Sequence, residues 1–163
     1  MSDRKMYLGH VNIYVRNAER ARDWYSKALG LHTYHFRPGR AAFMSADREM
    51  SHEVALMQVG DDAPGPMRGQ VGLNHMAWMV DSLDALGEAY KRLKDNGVRI
   101  DAIVDHGISL GIYFRDPDGN GLEVSYEQPR SEWPRQEQVF SEDVVGRGLF
   151  KGPWDDDPAV VRR

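Results

Sequence analysis

Apolar positions along this chain follow two rhythms, and the order of those rhythms is stated twice. From His10 the stretch HVNIYV alternates with a period of two, the pattern of a half-buried strand. Alternation puts Val11, Ile13 and Val15 on one face and His10, Asn12 and Tyr14 on the other. The spacing then becomes helical: Ala21, Trp24, Ala28 and Leu29 form a stripe behind an N-cap at Asn17. Three shorter strands follow near 31–36, 40–46 and 52–59. The same order restarts at His75. HMAWMV reads as a strand, Ser82 as a cap, and Leu83, Leu86, Ala89, Tyr90 and Leu93 as the buried stripe. Strands near 99–104, 109–115 and 120–127 complete the second copy. Gly30 and Gly97 mark the helix exits.

His10 and His75 stand 65 residues apart, and at that offset Val15 falls on Val80, Ala21 on Leu86 and Tyr25 on Tyr90. The pattern predicts an α+β chain of two tandem β-α-β-β-β modules, 7–59 and 72–127. They are joined by the linker GDDAPGPMRGQV at 60–71. Residues 131–163 form a C-terminal extension; with 128–130 they show no clean period, and they hold Trp133, Trp154 and the acidic run Asp155 to Asp157. The DPDGN stretch at 116–120 is a turn signal that joins two strands and aims Glu123.

Composition narrows the chemistry. With no cysteine among 163 residues, disulfides, zinc ribbons, iron–sulfur ligation and thiol nucleophiles are excluded, so a metal would need nitrogen and oxygen ligands. A net charge of -4 and scattered basic residues argue against nucleic acid. No apolar run reaches the roughly 20 residues of a membrane helix, and the N-terminus resembles no secretion signal. The expected location is the cytoplasm.

His10, His75 and Glu123 are polar residues on strands whose opposite faces supply core. Burying such groups requires a compensating partner. Two neutral imidazoles and a carboxylate suit Fe(II) with open positions for substrate and oxygen, and Mn(II) suits similar ligands. Two hydrogen-bonded strand histidines and one surface glutamate are the other reading of the same periodicity. His52 and Glu53 are strand neighbours, so only one of them faces the same side as His10. His32 and His35 are assigned structural or surface roles.

GHVNIYV, NHMAWMV and YFRDPDGNGLEVSYE, in duplicated modules over about residues 7–130, resemble the vicinal oxygen chelate superfamily. That group includes glyoxalase I, fosfomycin-resistance enzymes, bleomycin-binding proteins and type I extradiol dioxygenases. The resemblance implies a single domain over 7–130, with the modules forming one curved sheet around a metal-centred cavity. The finer pattern is similar to extradiol ring-cleaving dioxygenases. It implies iron ligands at His10, His75 and Glu123, an acid–base histidine at His52 in HEVAL, and substrate-side roles for Tyr113 and His106. Larger catechol-cleaving members commonly carry two adjacent histidines where this chain has Asn74-His75.

The implied activity is Fe(II)-dependent cleavage of a catechol-like aromatic diol by O2. The implied assembly is a homo-oligomer, a dimer or higher. Two alternatives share the fold. One is a glyoxalase I-like lyase or isomerase using zinc or nickel, with Glu53 as the nearest candidate for a fourth ligand. The other is a metal-free protein that sequesters a small molecule or drug.

Overall fold

A computed structural model describes residues 6–134 and the backbone of 160–162. The chain divides into two compact units, Met1–Gly65 and Pro66–Arg163. No helix among the described residues is long and apolar enough to cross a membrane.

In the first unit, β1 (Val11–Val15) leads into α1 (Ala18–Leu29), then β2 (His32–Arg37), β3 (Ala41–Ser45) and β4 (Val54–Gln58). The sheet order is β1-β4-β3-β2, with β1 and β4 parallel and the other pairs antiparallel. The helix starts where Asn17 Oδ1 accepts the Arg20 amide at 2.9 Å. It ends at Gly30, whose φ of 74° lets its amide reach the Ser26 carbonyl. α1 packs on β3 and β4 through Ala18, Ala21, Tyr25 and Ala28. The aromatic in the buried stripe is therefore Tyr25 rather than Trp24, and Leu29 is only partly buried. Tyr25 lies four residues after Ala21 and three before Ala28, at the centre of the stripe, while Trp24 meets its ring edge-on at 5.1 Å from the flank.

The second unit repeats the order. β5 (Met76–Val80), α2 (Leu83–Asp95), β6 (Ile100–Asp105), β7 (Ser109–Arg115) and β8 (Gly121–Glu127) follow one another, and a short 3₁₀ turn at Arg130–Glu132 closes the run. Ser82 caps α2 by accepting the Ala85 amide at 3.1 Å. The C-cap is Asn96, with Gly97 one residue beyond it. Leu86 and Leu93 are the fully buried part of the helix stripe; Leu83, Ala89 and Tyr90 lie at its half-exposed margin. Sheet order is β5-β8-β7-β6-β9, where β9 (Val160–Arg162) pairs in parallel with β6. Trp133 Nε1 donates to the Gln128 carbonyl at 2.8 Å. Trp154 and Asp155 to Asp157 lie outside the described residues.

The expectation of one curved sheet needs correction: the backbone ladders form two sheets, one in each unit. In both, the first strand pairs with the last strand of its own module. That closure links residues about one helix and two strands apart, so each module completes its ladder locally at modest loop-closure cost.

Candidate functional site

His10 directly precedes β1 and His75 directly precedes β5, so each histidine sits at the mouth of a ladder rather than within it. The alternation expected of both strands holds. Ile13 and Val15 are buried while Asn12 and Tyr14 are exposed. In β5, Ala77 is aligned with Glu123 and Met79 with Ser125. Ser125 Oγ donates to Met79 Sδ at 3.1 Å, which marks the shared face.

In the first unit, His52 lies 4.4 Å from His10, ring centre to ring centre, and 5.3 Å from Phe43, edge-on. Its Nδ1 is 3.0 Å from the Ser51 hydroxyl. Glu53 does not share that surrounding. Its Oε2 accepts the Ala46 amide at 2.6 Å and the Ser45 hydroxyl at 3.1 Å, which ties it to the end of β3. Burial, and then the neighbouring charge on His10, hold the His52 pKa below the usual histidine range. A neutral His52 imidazole is thereby favoured and can accept a proton.

In the second unit, His75, Glu123, Tyr113 and His106 come together. Glu123 is 7% exposed, and its Oε2 lies 3.1 Å from His75 Nε2. His75 Nδ1 is 2.7 Å from Asn74 Oδ1. A carbonyl oxygen only accepts, so Nδ1 donates to it and Nε2 is left facing the carboxylate. Nε2 and the carboxylate pair directly when the ring is protonated, and as a neutral ring and a carboxylate they are two donors that could share a metal. Asn74 thus fixes the orientation of the His75 ring through its side-chain carbonyl.

Tyr113 is aligned with Glu123 across the β7–β8 ladder. Burial, then the Glu123 charge and a hydrogen bond to Glu123, push the phenol far above its usual range. Its hydroxyl therefore stays protonated and donates to the carboxylate. His106 Nε2 is 3.0 Å from the same hydroxyl and serves as the donor to it. His106 is held by the β6–β7 hairpin, where its amide bonds Ser109 O and Asp105 Oδ1 accepts the Gly107 amide. The DPDGN turn sets the register that aims Glu123. Asp116 Oδ1 accepts the Asp118 and Asn120 amides, both at 2.9 Å.

Two glycines complete the site without any signal in the hydrophobic pattern. A Cβ on Gly111 would overlap Glu123 Oε1 and press on the Tyr113 ring. A Cβ on Gly121 would overlap the Asn74 carbonyl and crowd His75. Among the described residues no group of three His, Asp or Glu side chains forms a metal-holding cluster. The second unit supplies a pair of donors, and His10 with His52 forms a separate pair in the first.

Residues 7–124 match the family model described as Glyoxalase/Bleomycin resistance protein/Dioxygenase superfamily. Biphenyl-2,3-diol 1,2-dioxygenase 2 of Rhodococcus globerulus is 31% identical over 74% of this chain and 62% of its own length. Catechol-2,3-dioxygenase of Bacillus subtilis (strain 168) is 29% identical over 81% of this chain and 45% of its own. The chain thus spans less than two thirds of the curated relatives it matches most strongly. More distant relatives include a trivalent organoarsenical cleaving enzyme of Bacillus. Among solved structures, the lactoylglutathione lyase of Agrobacterium tumefaciens superposes with a TM-score of 0.59 at 21% identity, covering 77% of this chain and 96% of that one. With the duplicated module, the paired first and last strands and the match over most of its length, the chain belongs to the glyoxalase/bleomycin resistance protein/dioxygenase superfamily.

Proposed function

We propose that this chain is an extradiol dioxygenase that opens the ring of a catechol-like diol, with His10, His75 and Glu123 as ligands of Fe(II). Mn(II) is the other ion such donors suit. Bound Fe(II) supplies the electron chemistry that lets O2 react with the diol. The carbon–carbon bond beside the diol breaks and both oxygen atoms enter the product, so no external reductant is consumed. The observation that carries this reading is the buried Glu123 carboxylate, flanked by His75 Nε2 at 3.1 Å and by the Tyr113 hydroxyl. The relatives named for biphenyl-diol and catechol dioxygenases support it.

The roles of the chain's own residues follow. His52, favoured in its neutral form, accepts a proton from the diol and returns one later in the reaction. Tyr113 keeps its proton and donates to Glu123, so it positions that carboxylate, with His106 fixing its hydroxyl. Asn74 orients His75. A glyoxalase-like reading would employ Glu53 as a further ligand, but Glu53 is engaged by Ser45 and Ala46. Arsenical cleavage fares worse: trivalent arsenic is thiophilic, and these 163 residues include no cysteine.

Anaerobic loading with Fe(II), followed by oxygen uptake on a panel of catechols, tests the proposal. Uptake with one equivalent of O2 per diol and a ring-opened product is expected. Turnover of a hemithioacetal by the zinc or nickel form, with no uptake on any diol, would overturn it.

A further inference from the structure

The face of the first sheet turned away from α1 carries a row of rings that leads from the proposed acid–base residue to a cation. Register and alternation define the row. Ala42 pairs with Leu56 and Met44 with Val54, and these four are buried on the helix side. Phe43 is aligned with Ala55 on one neighbour and with His35 on the other, so it lies on the opposite face. The β2 ladder shifts register between Thr33 and His35, and His35 consequently lands beside Phe43, 6.1 Å ring to ring. Phe36 points the other way, since the Arg22 guanidinium from α1 stacks on it at 4.2 Å. Arg37, one residue further, returns to the Phe43 side, where its Nε donates to His35 Nε2 at 3.2 Å. The order on this face is His10, His52, Phe43, His35, Arg37, each step a direct contact.

The chemistry changes along that row. The proposed ligand His10 and the proposed acid–base residue His52 stand at one end, a half-buried phenyl ring in the middle, and a permanent cation, hydrogen-bonded to a histidine, at the other. A flat aromatic ring packs on Phe43 edge-on or offset. A substituent on its far side points along the row towards the guanidinium, whose planar fork matches a carboxylate. Arg37 Nε donates to His35, which orients the exposed guanidinium along the Phe43 side of the sheet. The chain carries a net charge of -4, so general electrostatics do not draw an anion here, and attraction must be local.

We infer that Phe43, His35 and Arg37 form a specificity shelf that selects an aromatic diol bearing a ring carboxylate. This inference rests on the dioxygenase reading for the placement of the diol, but not for the shelf itself. It also separates this chain from the relative named for an uncharged biphenyl diol.

The test is equilibrium binding by calorimetry under argon, with Fe(II)-loaded protein. Protocatechuate, which carries a ring carboxylate, is compared with catechol and methylcatechol. Wild type should bind protocatechuate about tenfold more tightly than either neutral diol, the scale of one charge-assisted contact. Arg37→Gln should narrow that ratio to near one, and Arg37→Lys should restore part of it. Phe43→Leu should weaken all three ligands together. Equal affinities in wild type, a ratio unchanged in Arg37→Gln, or no binding of any of the three overturns the shelf. Oxygen uptake is read separately on the same samples. Selective binding without uptake overturns the dioxygenase reading and leaves the shelf standing.

Discussion

Glu123 sits where three demands meet: burial, a neighbouring imidazole and a phenol that stays protonated. Its carboxylate occupies the space a Cβ on Gly111 would take, and both residues lie on adjacent strands in the interior of the sheet, so the backbone has little room to yield. Gly111→Ala should therefore swing Glu123 away from His75. Overpacking of this kind costs about 1–3 kcal/mol of stability. Loss of ligand orientation should lower Fe(II) affinity about 10–100-fold. Anaerobic metal titration beside a urea melt checks both, and full iron affinity in the variant would refute the positioning role. His52 and His75 should separate in the same assay. His52→Ala should retain iron but lose turnover by about 10²–10⁴-fold, the usual contribution of a general base. His75→Ala should lose the iron itself. Equal iron loss in both would place His52 among the ligands instead.

The elements were legible in the sequence where a side chain announces its own geometry. Asn17 and Ser82 were readable as caps because short polar side chains before an apolar stripe do one job well, and both accept the amide three residues on. Alternation in VNIYV sorted exposed from buried residues, and in LEVSY it put Glu123 and Ser125 on one face even though both faces of that strand are buried. Register was not legible. Nothing in the sequence says that the β2–β3 ladder shifts so that His35 aligns with Phe43, and a glycine such as Gly111 leaves no mark in a hydrophobic pattern. β9 escaped for a related reason: three residues are too few to show a period. Trp24 and Tyr25 are adjacent aromatics, and packing on β3 and β4 puts Tyr25 at the centre of the stripe and Trp24 on its flank. The Asn17 cap gives a prediction at this scale. α1 also anchors its first turn through the Ala18 amide, which donates to Gln58 Oε1 on β4 at 3.0 Å. Asn17→Ala should cost about 1 kcal/mol, with Asn17→Ser close to neutral. Urea denaturation measures both; an unchanged midpoint in the alanine variant would mean that the Gln58 contact holds the helix start by itself.

At the scale of the whole molecule, the proposed ligand set has a thermodynamic consequence that a two-residue site lacks. Each unit has its own sheet and helix. His10 belongs to one unit, and His75 and Glu123 to the other. Metal that binds only the native chain stabilises it by about 2.7 kcal/mol at a free concentration 100 times the dissociation constant. For a chain of this size that corresponds to a rise of about 5–10 °C in melting temperature. If all three residues ligate one ion, the gain requires both units to be folded at once, so loading should raise and sharpen a single transition. If His75 and Glu123 bind alone, loading should stabilise the second unit and leave a separate, earlier transition for the first. His10→Ala decides between the two. His10 is exposed and lies outside the β1 ladder, so its removal should leave the chelator-treated protein melting like wild type. The iron-dependent shift, in contrast, should largely disappear. Calorimetry of both proteins, with and without Fe(II), supplies the four curves needed. A full shift retained by His10→Ala would confine the metal to the second unit and would remove His10 from the proposed ligand set.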